Sequence, residues 1–322
     1  MPAGSAVTGP NHDIPRLGDH APDEVLRRLE LAVTRRLDGL LQGDYRGLVP
    51  GHGSESGEAR RYVAGDDVRR IDWNVTARMQ EPHVRESIAD RELETWLLID
   101  LSPSLDFGTA RCTKRDLAIV AAGSVAFLTE GSGNRVGAHI VTADGVRSIP
   151  ARGGRAHVRA LLHQVITAPR RDGGGGTALG EGIARLAWPS VRRGLAVVVS
   201  DFLSSEPWEP PMRLVGTRHE LLAIEVLDPR EMELPDVGRL VVADPESGAV
   251  RAIRTGDARF RARYAAAARA QRDENAQALR RARADHLVLR TDRDWLVELV
   301  RFVALRRRRI DHLRRATAGA GS

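Results

Sequence analysis

The chain has 322 residues, of which 42% are hydrophobic and 4% aromatic, so a folded core must be mostly aliphatic. The longest apolar segment, residues 117–128, falls short of the ~20 residues that a membrane-spanning helix needs. The start of the chain lacks the apolar segment of a secretory signal. The single cysteine, Cys112, excludes an internal disulfide and a thiolate-rich zinc site. We therefore expect a soluble, cytoplasmic protein without a membrane span.

The formal net charge of +6 is concentrated in one segment near the C-terminus. Residues 301–315 contain seven arginines and one acidic residue, Asp311, so the rest of the chain is electrically balanced. Arginines of this kind suit the end of a helix, whose dipole favours cations, and they also suit a phosphate or acidic partner. We expect no nucleic-acid binding.

The pattern of residues divides the chain into four predicted parts. Residues 1–22 are rich in glycine, proline and polar residues without periodicity, which predicts a disordered tail. Apolar residues then recur at helical spacing from Asp23, a candidate N-cap, to Leu41. The remaining predicted parts are an N-terminal extension over residues 23–94, an α/β domain over residues 95–305 and a basic tail over residues 306–322.

The segment of residues 60–74 combines dense charges of both signs with an embedded tryptophan, Trp73. Two interpretations stay open for it. It can form a salt-bridged surface around a turn at Gly65-Asp66, or a recognition surface anchored by Trp73 and the arginines. The weak alternation of residues 83–88 then predicts a strand antiparallel to the one at residues 95–101.

From Thr95 onward, short apolar runs alternate with helical patterns. This order is typical of an α/β fold with a doubly wound, mostly parallel sheet. The predicted strands are residues 95–101, 135–143, 146–151, 195–200, 220–227, 239–242, 250–253 and 286–291. The predicted helices are residues 113–129, 157–167, 177–187 and 257–285, and one through residues 295–303 that Asp292 or Asp294 caps.

Five side chains with oxygen atoms stand where such a sheet binds ligands: Asp100, Ser102, Ser104, Thr177 and Asp201. The first three end one strand in D-x-S-x-S spacing, the threonine follows four glycines, and the last aspartate ends a neighbouring strand. Each alone can be an ordinary cap or turn residue. Together they predict a site for Mg²⁺ or Mn²⁺, because oxygen ligands without Cys or His favour these ions. Two carboxylates would about neutralise the ion if both bind directly. If one binds only through water, the field of the ion remains available to a further acidic ligand.

These five residues resemble the metal-ion-dependent adhesion site of von Willebrand factor A domains. Upstream, Tyr62-x-x-Gly65-Asp66-Asp67-x-Arg69-x-Ile71-Asp72-Trp73 resembles the signature of the domain of unknown function 58 family. The resemblance covers roughly residues 40–305 and implies a von Willebrand factor A-like, Rossmann-type fold. It implies that the two serines bind the metal directly, as does the threonine in the ligand-engaged form, and that the two aspartates bind it directly or through water. It also implies a MoxR-type AAA+ ATPase as partner.

The favoured hypothesis for function is a non-enzymatic, metal-dependent protein-interaction module that serves such an ATPase. The alternative is a metal-dependent phosphate-ester hydrolase. Ser102 counts against it, because phosphatases with a strand-end aspartate nucleophile typically carry a second aspartate at that position. A Walker A motif, a dinucleotide-binding glycine fingerprint and an H-E-x-x-H motif are all absent from the sequence. A third hypothesis, nucleic-acid binding, depends only on the C-terminal arginines.

Overall fold

The computed structural model describes residues 17, 20–40, 59–63, 71, 73–85, 94–131, 133–170, 178–188, 190–244 and 248–319. The helices are α1 (Pro22–Leu40), α2 (Trp73–Met79), α3 (Lys114–Glu130), α4 (Arg155–Ile166), α5 (Leu179–Leu186), α6 (Glu209–Arg218), α7 (Pro229–Met232), α8 (Ala258–Arg281) and α9 (Trp295–Gly319). The strands are β1 (Ala59–Arg61), β2 (His83–Arg85), β3 (Glu94–Asp100), β4 (Arg135–Thr142), β5 (Gly145–Arg152), β6 (Gly194–Ser200), β7 (Glu220–Leu227), β8 (Arg239–Ala243), β9 (Val250–Arg254) and β10 (Asp285–Arg290).

A six-stranded sheet in the order β10-β7-β6-β3-β4-β5 forms the centre of the molecule. Its strands run parallel except β5, which returns antiparallel to β4 through the two-residue turn at Ala143-Asp144. The predicted α/β class with a mostly parallel sheet is confirmed, and the topology is compatible with a Rossmann-type fold. The chain leaves β3 toward β4 on one side and later returns to β6 on the other. The gap between β3 and β6 is therefore a topological switch point, where open α/β sheets bind ligands.

The apolar runs of the two central strands are explained by their burial on both faces. Every residue of β3 and of β6 is buried, and Leu97 pairs with Val197 in the parallel register between them. A strand covered by helices on both sides needs a continuous apolar run rather than an alternating one. The predicted strands at 95–101 and 195–200 follow from this, within a residue at each end.

Helices cover both faces of the sheet. On one face α1, α3, α4 and α9 share a core with side chains of β3, β4, β6, β7 and β10. On the other face α5, α6 and α8 pack around Leu98, Val198 and Ala223. The amphipathic helix predicted from Asp23 is α1, which lies against α3 and α4. A Cβ at Gly123 of α3 would collide with Leu29 of α1, so the glycine allows the two helices to approach closely.

The strand predicted at residues 83–88 is wrong in its pairing. The strand β2 covers only His83–Arg85 and pairs antiparallel with β1, in a two-stranded sheet separate from the central one. Residues 86–90 lie outside the described part of the chain. In the central sheet β3 already pairs with β4 on one side and with β6 on the other, so a further strand cannot pair with it.

The helices differ from the sequence-based prediction in one additional helix and in some helix ends. Helix α6 was not predicted, because two prolines stand in its first turn; proline is tolerated there since those N–H groups have no partner within the helix. Asp23 lies inside the first turn of α1, which begins one residue earlier. Asp294 caps α9, because its Oδ1 accepts the N–H of Leu296 at 2.9 Å.

The last helix continues beyond the predicted boundary of the basic tail. Helix α9 runs to Gly319, and the Arg306 guanidinium is buried between Asp285 at 2.6 Å and Glu220 at 2.9 Å. This arginine therefore ties α9 to the sheet. The division of the chain at residue 305 and the disordered tail over residues 1–22 stay predictions. None of the helices in the described ranges is long and apolar enough to cross a lipid bilayer.

Candidate metal centre

The first predicted ligand, Asp100, is the last residue of β3 and is 1% exposed. Its Oδ1 accepts the backbone N–H of Ser102 at 3.0 Å, and its Oδ2 accepts the hydroxyl of Ser200 at 2.7 Å. Both oxygens are therefore directed by neighbouring groups, one from its own strand end and one from β6.

The two predicted serines lie directly after β3 and are both buried. Pro103 cannot continue the strand, and residues 103–106 form a 3-10 turn instead. This turn brings Ser102 Oγ within 3.2 Å of Ser104 Oγ. The D-x-S-x-S spacing thus places three side-chain oxygen groups beside one another at the carboxyl end of β3.

The predicted ligand from the neighbouring strand, Asp201, follows β6 directly and is 3% exposed. Its Oδ1 accepts the N–H of Leu203 at 3.1 Å. Phe202 has a positive φ of 55°, a backbone conformation that costs energy for a non-glycine residue, and its carbonyl accepts the Asn275 amide at 3.3 Å. Support of this kind holds the strained turn that presents Asp201.

The two aspartates are close enough to affect each other electrostatically. Burial raises the pKa of Asp100 to about 6, and the negative charge of Asp201 adds to the rise. Hydrogen bonds from Ser200 and Ser102 oppose it. The structure therefore brings four of the five predicted residues to the switch point between β3 and β6.

Three residues at this centre were missed by the reasoning from sequence. Ser200 donates to Asp100, and Lys114, at the start of α3, donates from Nζ to Asp201 Oδ2 at 2.7 Å. Lys114 also pairs with Glu231 of α7. Burial alone would lower the pKa of Lys114, but the charges and hydrogen bonds of Asp201 and Glu231 outweigh it and raise the pKa. The lysine is therefore a buried ammonium ion.

Comparison with known proteins identifies the family. A family model described as "Protein of unknown function DUF58" matches residues 58–274. The chain belongs to the DUF58 family. It is 54% identical over 283 residues to the uncharacterized protein Rv1480 of Mycobacterium tuberculosis and to the uncharacterized protein Mb1516 of Mycobacterium bovis. Each of these two alignments covers 88% of this chain and 89% of the relative.

Two solved structures are among those that a structural comparison finds similar to this chain. One is the conserved hypothetical protein BatB from Bacteroides thetaiotaomicron, with 14% identity, a TM-score of 0.44, and coverage of 67% of this chain and 99% of that one. The other is an aerotolerance-related membrane protein from Bacteroides fragilis, with 13% identity, a TM-score of 0.42, and coverage of 66% and 98%.

The fifth predicted ligand and most of the upstream signature lie outside the described residues. Thr177 and the glycines before it belong to the undescribed range 171–177, and the signature is described only at residues 62, 63, 71 and 73. Trp73, at the start of α2, has 71% of its surface exposed. The two interpretations of this segment, a salt-bridged surface and a recognition surface, both stay open.

The donors of the centre fit a hard divalent cation. All candidate ligands in the described part are carboxylate or hydroxyl oxygens, the kind that Mg²⁺ and Mn²⁺ prefer. Within the described ranges, no group of three or more His, Cys, Asp or Glu side chains is placed to hold a metal ion. A cation at this centre would be held by the hydroxyls of Ser102 and Ser104 beside the carboxylates of the two aspartates.

A further buried aspartate stands at the same edge of the sheet, just after β7. The Asp228 carboxylate accepts the N–H of Thr109 at 2.8 Å and its hydroxyl at 2.6 Å. It also accepts the N–H of Arg230 at 2.9 Å and the Thr291 hydroxyl at 2.7 Å. Burial alone would raise the pKa of Asp228, but these bonds outweigh it and lower the pKa. This carboxylate joins three loops and is fully satisfied by protein groups.

Proposed function

We propose that this DUF58 protein is a non-enzymatic, metal-dependent protein-interaction module of the cytoplasm with a von Willebrand factor A-like domain. The metal is Mg²⁺ or Mn²⁺, and its ligands are Asp100, Ser102, Ser104, Thr177 and Asp201. When bound, the ion offers an open coordination position to a carboxylate of another protein. The partner is a MoxR-type AAA+ ATPase.

One observation supports this proposal above the others. Two strands that are neighbours at the topological switch point end in Asp100 and Asp201, and the turn after the first adds the hydroxyls of Ser102 and Ser104. Burial and mutual repulsion of the two carboxylates favour the binding of positive charge there. Asp100 and the serines would hold the ion, and Asp201, which the strained turn at Phe202 presents, would bind it from β6.

The metal site is tested by thermal unfolding of the full chain in increasing Mg²⁺ or Mn²⁺. A cation that binds the folded state raises the unfolding midpoint with its concentration. We expect this rise for the wild type and for Asp273→Ala, which removes an exposed aspartate of α8. We expect no rise for Asp100→Ala. Identical responses of the three proteins would contradict the proposed site.

The partner is tested by co-purification with a MoxR-type AAA+ ATPase from the same organism. Capture should need Mg²⁺ and be lost in Ser102→Ala and Asp201→Asn, while Asp273→Ala retains it. Turnover of a generic phosphate ester that Asp100→Ala abolishes would favour the hydrolase alternative instead. Capture that ignores both substitutions would show that the partner docks elsewhere on the molecule.

A further inference from the structure

The chain contains one lysine among 49 basic residues, and this lysine is buried in the candidate metal centre. The Lys114 side chain is 1% exposed, with Nζ 2.7 Å from Asp201 Oδ2 and a second ion pair to Glu231. We propose that the Lys114 ammonium competes with the divalent cation for Asp201 and thereby sets the metal affinity of the site. This inference rests on the proposed function.

The position of Lys114 is unfavourable for a cation unless carboxylates surround it. Lys114 is the first residue of α3, after the N-cap Thr113, and the N-terminal end of a helix repels positive charge. Burial of an ammonium group costs further free energy. The carboxylates of Asp201 and Glu231 offset both costs. The lysine therefore belongs to this centre, since the start of a helix alone would not favour a buried ammonium.

Glu231 is itself held in place, so the lysine has a fixed second partner. In the capping box of α7, Glu231 Oε2 accepts the backbone N–H of Asp228 at 3.0 Å, while Oε1 faces Lys114. The ammonium can therefore stay paired with Glu231 when Asp201 binds the metal ion. A compact ammonium on a flexible stem suits such an exchange better than the broad, planar guanidinium of arginine.

The charges of the centre leave room for one divalent cation. The centre holds three carboxylates, those of Asp100, Asp201 and Glu231, and one ammonium, so two negative charges remain when all are ionised. Both oxygens of Asp201 already accept hydrogen bonds, Oδ1 from Leu203 and Oδ2 from Lys114. A metal ion bound by Asp201 must share this carboxylate with the ammonium, and two cations on one carboxylate repel each other. The lysine thus weakens metal binding.

The competing explanation is that Lys114 only ties α3 to β6 and α7. Removal of the lysine then lowers stability and leaves metal affinity unchanged. Under our proposal removal also lowers stability in a metal-free buffer, because Asp201 and Glu231 lose their counter-ion. A divalent cation then restores that loss, which a purely structural ion pair does not predict.

The test is Mn²⁺ binding to the full chain, measured from the free Mn²⁺ signal in electron paramagnetic resonance and from unfolding midpoints. We expect Lys114→Met to bind Mn²⁺ at least tenfold more tightly than the wild type, and to gain more in midpoint as Mn²⁺ is added. The matched control is Arg306→Met, which removes a buried cation of α9; that cation faces Asp285 and Glu220 at the starts of β10 and β7 instead. We expect its Mn²⁺ affinity to equal that of the wild type.

A second variant keeps the test open if Lys114→Met does not fold. Lys114→Met/Glu231→Gln removes one positive and one negative charge, so the net charge of the centre is unchanged and Asp201 is released. It should also bind Mn²⁺ more tightly than the wild type, whereas Glu231→Gln alone, which leaves the lysine on Asp201, should not.

The outcomes separate this inference from the proposed function. Wild-type binding with no gain in either lysine variant overturns the inference and leaves the metal site standing. Binding by a lysine variant that the wild type lacks supports the inference. Absence of Mn²⁺ binding by the wild type and by both lysine variants overturns both proposals.

Discussion

Two buried aspartates at the same edge of the sheet differ in how their charge is satisfied. Asp228 accepts four hydrogen bonds from protein groups, and these lower its pKa in spite of burial. In the described part of the chain Asp100 has fewer donor residues, Ser102 and Ser200, and burial together with the charge of Asp201 raises its pKa to about 6. The number of donors and the presence of a second carboxylate therefore separate a structural anchor from a site that favours a cation, although both aspartates follow an apolar strand.

We expect the greatest loss of stability from a substitution at Asp228. We expect Asp228→Asn to lower the free energy of unfolding by about 3 kcal/mol, because its amide meets two hydroxyl or N–H donors with a donor of its own. Urea unfolding at neutral pH measures the loss. The control is Asp257→Asn at the exposed N-cap of α8, where asparagine caps as well as aspartate, so the change stays within about 0.5 kcal/mol. Equal losses in the two variants would show that Asp228 is an ordinary cap.

The contribution of Asp228 to stability should also depend on pH. The pKa of Asp228 is lower in the folded state than in the unfolded chain, so the unfolded state binds the proton more tightly. The stabilisation by Asp228 is therefore complete above the unfolded pKa of about 3.9 and is lost as the pH falls through the folded value.

We expect the gap between the wild type and Asp228→Asn to narrow below about pH 4, by at most about 1.4 kcal/mol per pH unit. Urea unfolding at a series of pH values measures the gap. A gap that stays constant into the acid range would show that packing, rather than charge, accounts for the loss.

How much could be predicted from the sequence is clearest at the two central strands. The runs at residues 97–99 and 197–199 predict buried parallel strands because no polar residue interrupts them, and strand ends at one edge of a parallel sheet then bring Asp100 and Asp201 together. This reasoning needs only local patterns and the geometry of parallel sheets. The membership in the DUF58 family, suggested by the upstream signature, is confirmed as well.

The remaining parts of the centre depend on contacts that no local pattern encodes. Lys114 stands 87 residues from Asp201 and 117 from Glu231, and in the sequence it is an ordinary residue at a helix start. Its burial follows only once α3 and α7 meet over the end of β6. The sole available signal was composition, because a single lysine in an arginine-rich chain suggests that lysine has a specific role at that position.

The smallest expected effect has the opposite sign and tests whether Asp100 is a site rather than an anchor. We expect Asp100→Asn to leave the free energy of unfolding unchanged or raise it by about 1 kcal/mol at neutral pH in EDTA. Asparagine can accept the Ser102 N–H and donate to the Ser200 hydroxyl, and it removes a buried charge beside Asp201. A carboxyl whose folded pKa lies above its unfolded value costs stability at any pH above both, and a rise from 3.8 to about 6 limits that cost to about 3 kcal/mol. Chemical unfolding of Asp100→Asn beside Asp228→Asn measures the contrast. A loss at Asp100 as large as the loss at Asp228 would make both carboxylates structural and would remove the electrostatic reason for a cation at the switch point.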